Sequence, residues 1–259
     1  MNATPLLRRA RPLLGTLVEV GAGGGGTDDA VSQAIAAAFE RITQLQARLS
    51  RFDAASDITR FNALAGGRSL KIHTDTQAVL RAALRLQAAT RGRFDITQGR
   101  GADGWALDGD CLVKWADGLT FDLGGIAKGY AVDAAVETLM AAGCTAGWVN
   151  AGGDLRVFGN TALTLQLRDE DHGGTRPWGR LRDGACATSR YARGSRSALV
   201  GADLDADVDA DVDDGITYHL SVLAPCCLWA DALTKVAALA RHSHCPPVLG
   251  EFGASVWWH

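Results

Sequence analysis

Three short segments bring together residue types that could act on a charged ligand. In Asp122-Leu-Gly-Gly-Ile-Ala-Lys128 a carboxylate, two glycines and a cation meet where a strand is expected to hand over to a helix. Exposed amides and an ammonium at such a junction suit a nucleotide phosphate; the alternative is a simple tight turn. In Trp148-Val-Asn-Ala-Gly-Gly-Asp154 an apolar strand ends in two glycines and an acid. In Asp231-Ala-Leu-Thr234-Lys235 the carboxylate and hydroxyl lie three apart, close to the start of a helix, so both can face one point. Their oxygens suit a hard cation such as Mg²⁺, although the same pair also serves as a helix cap.

The elements that must position these segments follow from periodicity. Thr16 to Val20 alternates as a strand and leads into a flexible glycine turn over Gly21 to Gly26. Val31, Ile35, Phe39, Ile42, Leu45 and Leu49 recur at helical spacing, which gives a long helix over 28–49. Residues 53–56 break the pattern. Thr74 with Gln77 reads as a capping box for a helix that ends near Gly92. A third helix starts after Gly125 and stops at Gly143, and a last one covers about 228–240. Between them, strands are expected at 147–150, 155–158, 163–167, 186–189 and 219–223, with a polar loop over 168–182. A strand is also expected to deliver Asp122 to its end. The order is α+β, a mixed sheet packed with helices, without regular βαβ alternation; one domain over 1–259 is expected.

Several tempting motifs fail on inspection. Gly21-Ala-Gly-Gly-Gly-Gly26 matches a dinucleotide fingerprint formally, but the helix behind it opens with Asp28-Asp29, where a pyrophosphate would sit. Gly124 to Gly129 is followed by Tyr130 where a phosphate loop needs lysine. Seven aspartates lie between Asp203 and Asp214, yet a calcium loop begun at Asp209 would place Asp214 and Leu220 where Gly and Glu are needed. That run reads as a solvated loop or an exposed edge.

Composition narrows the function classes. The chain has 259 residues, 26 Lys+Arg against 29 Asp+Glu, and a formal net charge of −3. This excludes a basic nucleic-acid binder, and the aspartate run alone sets the sign. No apolar stretch reaches the length of a membrane span. No signal peptide is visible, so a cytoplasmic location is expected, or a periplasmic one if a leader has been removed. Cys111, Cys144, Cys186, Cys226, Cys227 and Cys245 form no C-x-x-C pair, which points to buried free thiols.

Taken together and in order, these segments resemble the ApbE-like flavin transferases, the FAD:protein FMN transferase family. The resemblance adds Leu14-Gly-Thr16, the stretch from Ser50 through Phe52-Asp53 to Asn62, Gly92-Arg-Phe-Asp-Ile-Thr-Gln-Gly99, Ala187-Thr-Ser189 and Ala230-Asp-Ala-Leu233. It implies a flavin-transferase-like fold, FAD as substrate and Mg²⁺ as cofactor. The implied reaction moves FMN onto a threonine of an acceptor flavoprotein and releases AMP. Leu14, Phe52, Arg93, Phe94, Asp95, Asp122 and Lys128 would line the FAD site. Asp231, Thr234 and a carbonyl near Gly125 would hold the metal. Phe52 would stack on a flat ring or pack in the core. Asp231 and His219 are the implied catalytic residues.

Two departures stand out. The His-x-Ile-Asp-Pro-x-Thr-Gly stretch of the family is missing, and the aspartate run occupies its interval, with His219 either a displaced remnant or a strand histidine that only packs. Lys235 stands where a threonine is expected; its ammonium would either replace a metal charge or repel the cation. The alternatives are therefore a flavin-binding relative without transfer, or an FAD pyrophosphatase giving FMN and AMP.

Overall fold

The structure is a computed structural model, and it describes residues 6–24, 26–101, 103–169, 172–191, 218–238 and 247–259. The aspartate run and Cys245 lie outside the described residues. Seven strands form the main sheet: β1 (Leu7–Leu13), β2 (Thr16–Gly23), β6 (Ala146–Ala151), β7 (Asp154–Gly159), β10 (Gly184–Tyr191), β11 (Tyr218–Ala224) and β12 (Ser255–Trp258), adjacent in that order. Every pairing between them is antiparallel. The strands β3 (Arg68–Lys71), β4 (Trp105–Asp108) and β5 (Cys111–Lys114) make a second sheet, and β8 (Leu163–Arg168) pairs with β9 (Thr175–Leu181).

The helices are α1 (Asp28–Leu49), α2 (Asp57–Ala63), α3 (Thr74–Ala89), α4 (Ala127–Ala141), α5 (Cys227–Ala238) and the short α6 (Val248–Glu251). The apolar stripe of α1 is buried as its spacing predicts, from Val31 to Leu49. It meets α4, and α4 meets α5, all on one face of the main sheet. A core built on Val20, Phe39, Val136 and Ala187 fills that layer. The opposite face is covered by β8 and β9, where Trp148, Val157, Leu165, Leu181 and Cys186 pack together. A further core joins α2, α3 and the small sheet around stacked Phe61 and Phe121, whose ring centres are 4.2 Å apart.

Local details correct several expectations. The cap of α3 is His73, whose ring accepts from the Asp75 amide, so Thr74 is the first helical residue. Residues 168–182 are not all loop, since β9 runs through them. Gly21 and Gly23 belong to β2 and are not part of a turn. A Cβ on Gly21 would come within 2.5 Å of the Trp148 indole nitrogen on the neighbouring strand, so the glycine makes room for that ring. Residues 119–123, before α4, join no ladder. The Asn62 side chain replaces a strand partner there, accepting from the Phe121 amide at 2.7 Å and donating to the Phe121 carbonyl at 3.1 Å.

Candidate active site

The site is organised by α4 and α5, which cap each other. No side chain at the α4 N-cap residue, Ile126, takes up the first amides of that helix. Asp231, from the second turn of α5, reaches across and accepts from the Gly129 amide at 3.1 Å. In return Asp133 of α4 accepts from the Cys227 and Leu228 amides at the start of α5, each at 2.8 Å. Each carboxylate thus satisfies orphan donors at a helix N-terminus and complements its dipole. The crossing requires glycine: a Cβ on Gly129 would lie 2.3 Å from the Cys227 carbonyl oxygen. Burial pushes the Asp133 carboxyl up; the two amides and Arg156, at 3.0 Å, pull the other way.

Beside this crossing sits a cluster of two carboxylates and two ammoniums. Lys128, in the first turn of α4, pairs with Asp154 at 2.8 Å. Lys235 pairs with Asp231 at 3.1 Å along α5. Both carboxylates are almost wholly buried. Burial, and then the charge of Asp231, raise the Asp154 pKa to about 6, against the pull of the two lysines. Burial pulls the Lys128 ammonium down, but the charges of Asp154 and Asp231 outweigh it and its pKa is raised. Asp154 starts β7 directly after a hairpin whose Gly152 and Gly153 both have positive φ, the geometry of a tight two-residue turn.

Lys235 is held by more than its carboxylate. Its Nζ donates to Thr234 Oγ1 at 2.8 Å, Asp231 Oδ1 at 3.1 Å and Ser189 Oγ at 3.2 Å, with the Asp231 carbonyl at 3.4 Å. Thr234 Oγ1 also accepts from Ser189 Oγ at 2.9 Å and donates to the Asp231 carbonyl at 2.7 Å. Asp231 and Thr234 do face one point, as their spacing implies, and the ammonium is at that point.

A cavity of about 470 Å³ opens next to the cluster, between the β1–β2 turn, the end of α1 and the start of α4. Leu14, Phe52, Asp122 and Lys128 line it, with Arg51, Gln46, Ser50 and Gly124. Lys128 therefore belongs both to the cavity and to the buried charge cluster. Phe52 is 84% exposed, which removes the core-packing alternative. Asp122 is tied by Arg51 at 3.0 Å, Gln98 at 3.3 Å and the Gly124 amide at 2.8 Å. Leu14 holds a positive φ of 55° and donates its amide to Gln46 Oε1 at 2.6 Å. Such a backbone is rare for a leucine and fixes its side chain at the cavity edge.

Other expected site residues lie elsewhere. Phe94 is buried in the α2–α3 core and Arg93 is exposed; neither lines the cavity. Asp95 closes its own turn, accepting from the Thr97 amide and hydroxyl and from the Gly99 amide. It reaches the site only indirectly, because that turn carries Gln98 to Asp122. Gly125 is buried in the turn before α4, one residue beyond the cavity wall. His219 is not brought to Asp231. It pairs in register with Arg190, whereas Ser189, which bonds Thr234 on α5, pairs with Leu220. Strand alternation thus puts His219 on the sheet face away from α5.

A sequence model of the ApbE family matches residues 14–114 and 106–251. The chain belongs to the ApbE family. A curated FAD:protein FMN transferase from Vibrio cholerae serotype O1 is 24% identical over 147 residues, which are 46% of this chain and 44% of that protein. This alignment thus spans less than half of the curated relative. Solved ApbE structures share the fold over nearly the whole chain. The apo flavinyl transferase ApbE of Pseudomonas stutzeri has a TM-score of 0.77 at 21% identity, covering 100% of this chain and 92% of its own. The Vibrio cholerae flavin transferase ApbE has a TM-score of 0.79 at 19% identity, covering 99% and 94%. The ApbE protein of Thermotoga maritima gives 0.75 at 20%, covering 98% and 94%.

Proposed function

We propose that this ApbE-family chain is an FAD:protein FMN transferase. The observation that supports it is the cavity, which joins an exposed aromatic ring at its mouth to a lysine and a helix N-terminus at its base. Phe52 offers a face for the flavin ring. Lys128, beside its ion pair with Asp154, offers a positive charge to the pyrophosphate. Leu14 and Asp122 bound the space between them.

In the proposed reaction the acceptor threonine Oγ attacks the phosphorus of the FMN half. A new P–O bond forms, the P–O bond to the bridging oxygen breaks, and AMP leaves with that oxygen. The hydroxyl proton passes to a base or to solvent. Lys128 stabilises the negative charge that accumulates on the phosphoryl oxygens, which is the main task in such transfers.

Mg²⁺ is the cation the resemblance implies, but the oxygens meant for it do not fit a metal. A hydroxyl has one donor and two acceptor sites, and Thr234 Oγ1 uses all three. Asp231 Oδ2 accepts from the Gly129 amide and Oδ1 from the Lys235 ammonium, whose charge would face any cation added there. Among the described residues no cluster of three His, Cys, Asp or Glu is arranged for a metal.

A second reading, FAD binding without transfer, is favoured by His219 lying on the far face of the sheet, which leaves the expected catalytic pair unassembled. One experiment separates the readings. The protein is incubated with FAD and an acceptor domain bearing the target threonine; AMP is measured, and flavin fluorescence is read on the denatured acceptor. Labelled acceptor with equimolar AMP is expected. AMP with free FMN would select hydrolysis, and bound FAD without AMP would select the non-transferring reading; either would overturn the proposal.

A further inference from the structure

We infer that the Lys235 ammonium is a built-in replacement for the divalent cation, so that this chain binds no metal at Asp231 and Thr234. The assignment concerns the chain's own residues, and its catalytic consequence rests on the transferase reading above.

Four oxygens converge on Lys235 Nζ: Thr234 Oγ1, Asp231 Oδ1, Ser189 Oγ and the Asp231 carbonyl. Carboxylate, hydroxyl and carbonyl oxygens are the donor types that a hard cation selects. They come from β10 and from two successive positions on one face of α5, so the fold holds them together without help from a metal. Among the described residues the nearer oxygens are three, as many as the ammonium hydrogens. With Lys128 and Asp154, the cluster holds two positive and two negative groups among the described residues. A dication added to it would share every oxygen with the ammonium and face its charge at contact distance. The two cannot occupy one site, and the ammonium is covalently tethered there.

The position also suits catalysis. Lys128 reaches the cavity from the same cluster, and the charges of Asp231 and Lys235 both act on it. Lys235 thus offsets the negative charge of Asp231, which would otherwise add to that of Asp154 against an incoming phosphate.

The test counts Mn²⁺ bound per chain by electron paramagnetic resonance in the wild type, Asp231→Asn, Lys235→Thr and the Lys235→Thr, Asp231→Asn double variant. Because the aspartate run can bind Mn²⁺ by itself, the differences between variants decide the matter. Asp231→Asn is expected to leave the wild-type count unchanged. Lys235→Thr is expected to gain one site, at least about tenfold tighter than any wild-type site, because a juxtaposed like charge is gone. Asp231→Asn should then remove that site. A wild-type site lost on Asp231→Asn would overturn the inference, as would a folded Lys235→Thr that gains none. Should Lys235→Thr fail to fold, the wild-type and Asp231→Asn pair still decides it. AMP release from FAD provides a second readout. Wild-type turnover should persist in EDTA, and loss in EDTA with recovery on Mg²⁺ would overturn the inference. If no FAD turns over under any condition, the transferase reading fails, while the Mn²⁺ counts still decide the cation assignment.

Discussion

Gly129→Ala sets two physical effects against each other. Alanine is a better helix former than glycine by about 1 kcal/mol in a helix interior, so propensity alone predicts a more stable protein. Packing predicts the reverse. The new Cβ would meet the Cys227 carbonyl oxygen at 2.3 Å, its carbon at 2.7 Å and the Asp231 Cβ at 2.9 Å. Two of these are backbone atoms, so no rotamer change relieves them. The helices must separate, which costs about 1–3 kcal/mol for overpacking. Separation also weakens the bond from the Gly129 amide to Asp231, a buried charge-assisted bond worth about 1.5–3 kcal/mol. Less the propensity gain, the net loss is about 1.5–5 kcal/mol. For a chain of this size, at about 2 °C per kcal/mol, it should lower Tm by roughly 3–10 °C in a thermal melt. An unchanged or raised Tm would refute the argument that α4 and α5 are held together by this close approach and mutual capping.

Three further variants probe separate parts of the site and scaffold. Asp75 receives Arg41, Arg48 and Tyr130; burial pushes its pKa up, but these partners outweigh it and hold it at about 2. Its stabilising effect is present above the unfolded value of 3.8 and is lost as pH falls toward 2, so the Tm gap between wild type and Asp75→Asn should close over that range. At pH 7 the gap should correspond to about 2–3 kcal/mol, below a fully buried pair because both arginines are partly exposed. Phe52→Ala should weaken FAD binding by about three- to tenfold in a fluorescence titration, with stability within about 0.5 kcal/mol of wild type because the ring is exposed. Lys128→Met should weaken FAD binding and strand the buried Asp154 charge, costing about 2–4 kcal/mol at pH 8. Because the Asp154 pKa is already raised to about 6, the folded variant takes up a proton as pH falls, and the penalty should shrink by pH 5.

Much of the scaffold was legible because its signals are local. The stripe from Val31 to Leu49, the glycine stop at Gly143 and the β6–β7 turn each declare themselves within a few residues. The position of Lys128 at the start of α4 followed from the glycine pair before it. What escaped is non-local. Asp133 caps a helix 94 residues further along, and no spacing rule reports that. Asn62 substitutes for a strand partner of Phe121 across 59 residues. Phe94 and Asp95 belong to a motif, but one packs in the core and the other closes its own turn. Two signals were available locally. The alternation of His219 and Ser221 with apolar Leu220 and Val222 already separates the histidine from the helix-facing side. The i, i+4 spacing of Asp231 and Lys235 already predicts their contact.

The most direct test of the account is a crystal structure of the protein with FAD. The isoalloxazine ring is expected against Phe52, and a pyrophosphate oxygen within hydrogen-bond distance of Lys128 Nζ. FAD bound away from this cavity, or with its pyrophosphate remote from Lys128, would contradict it.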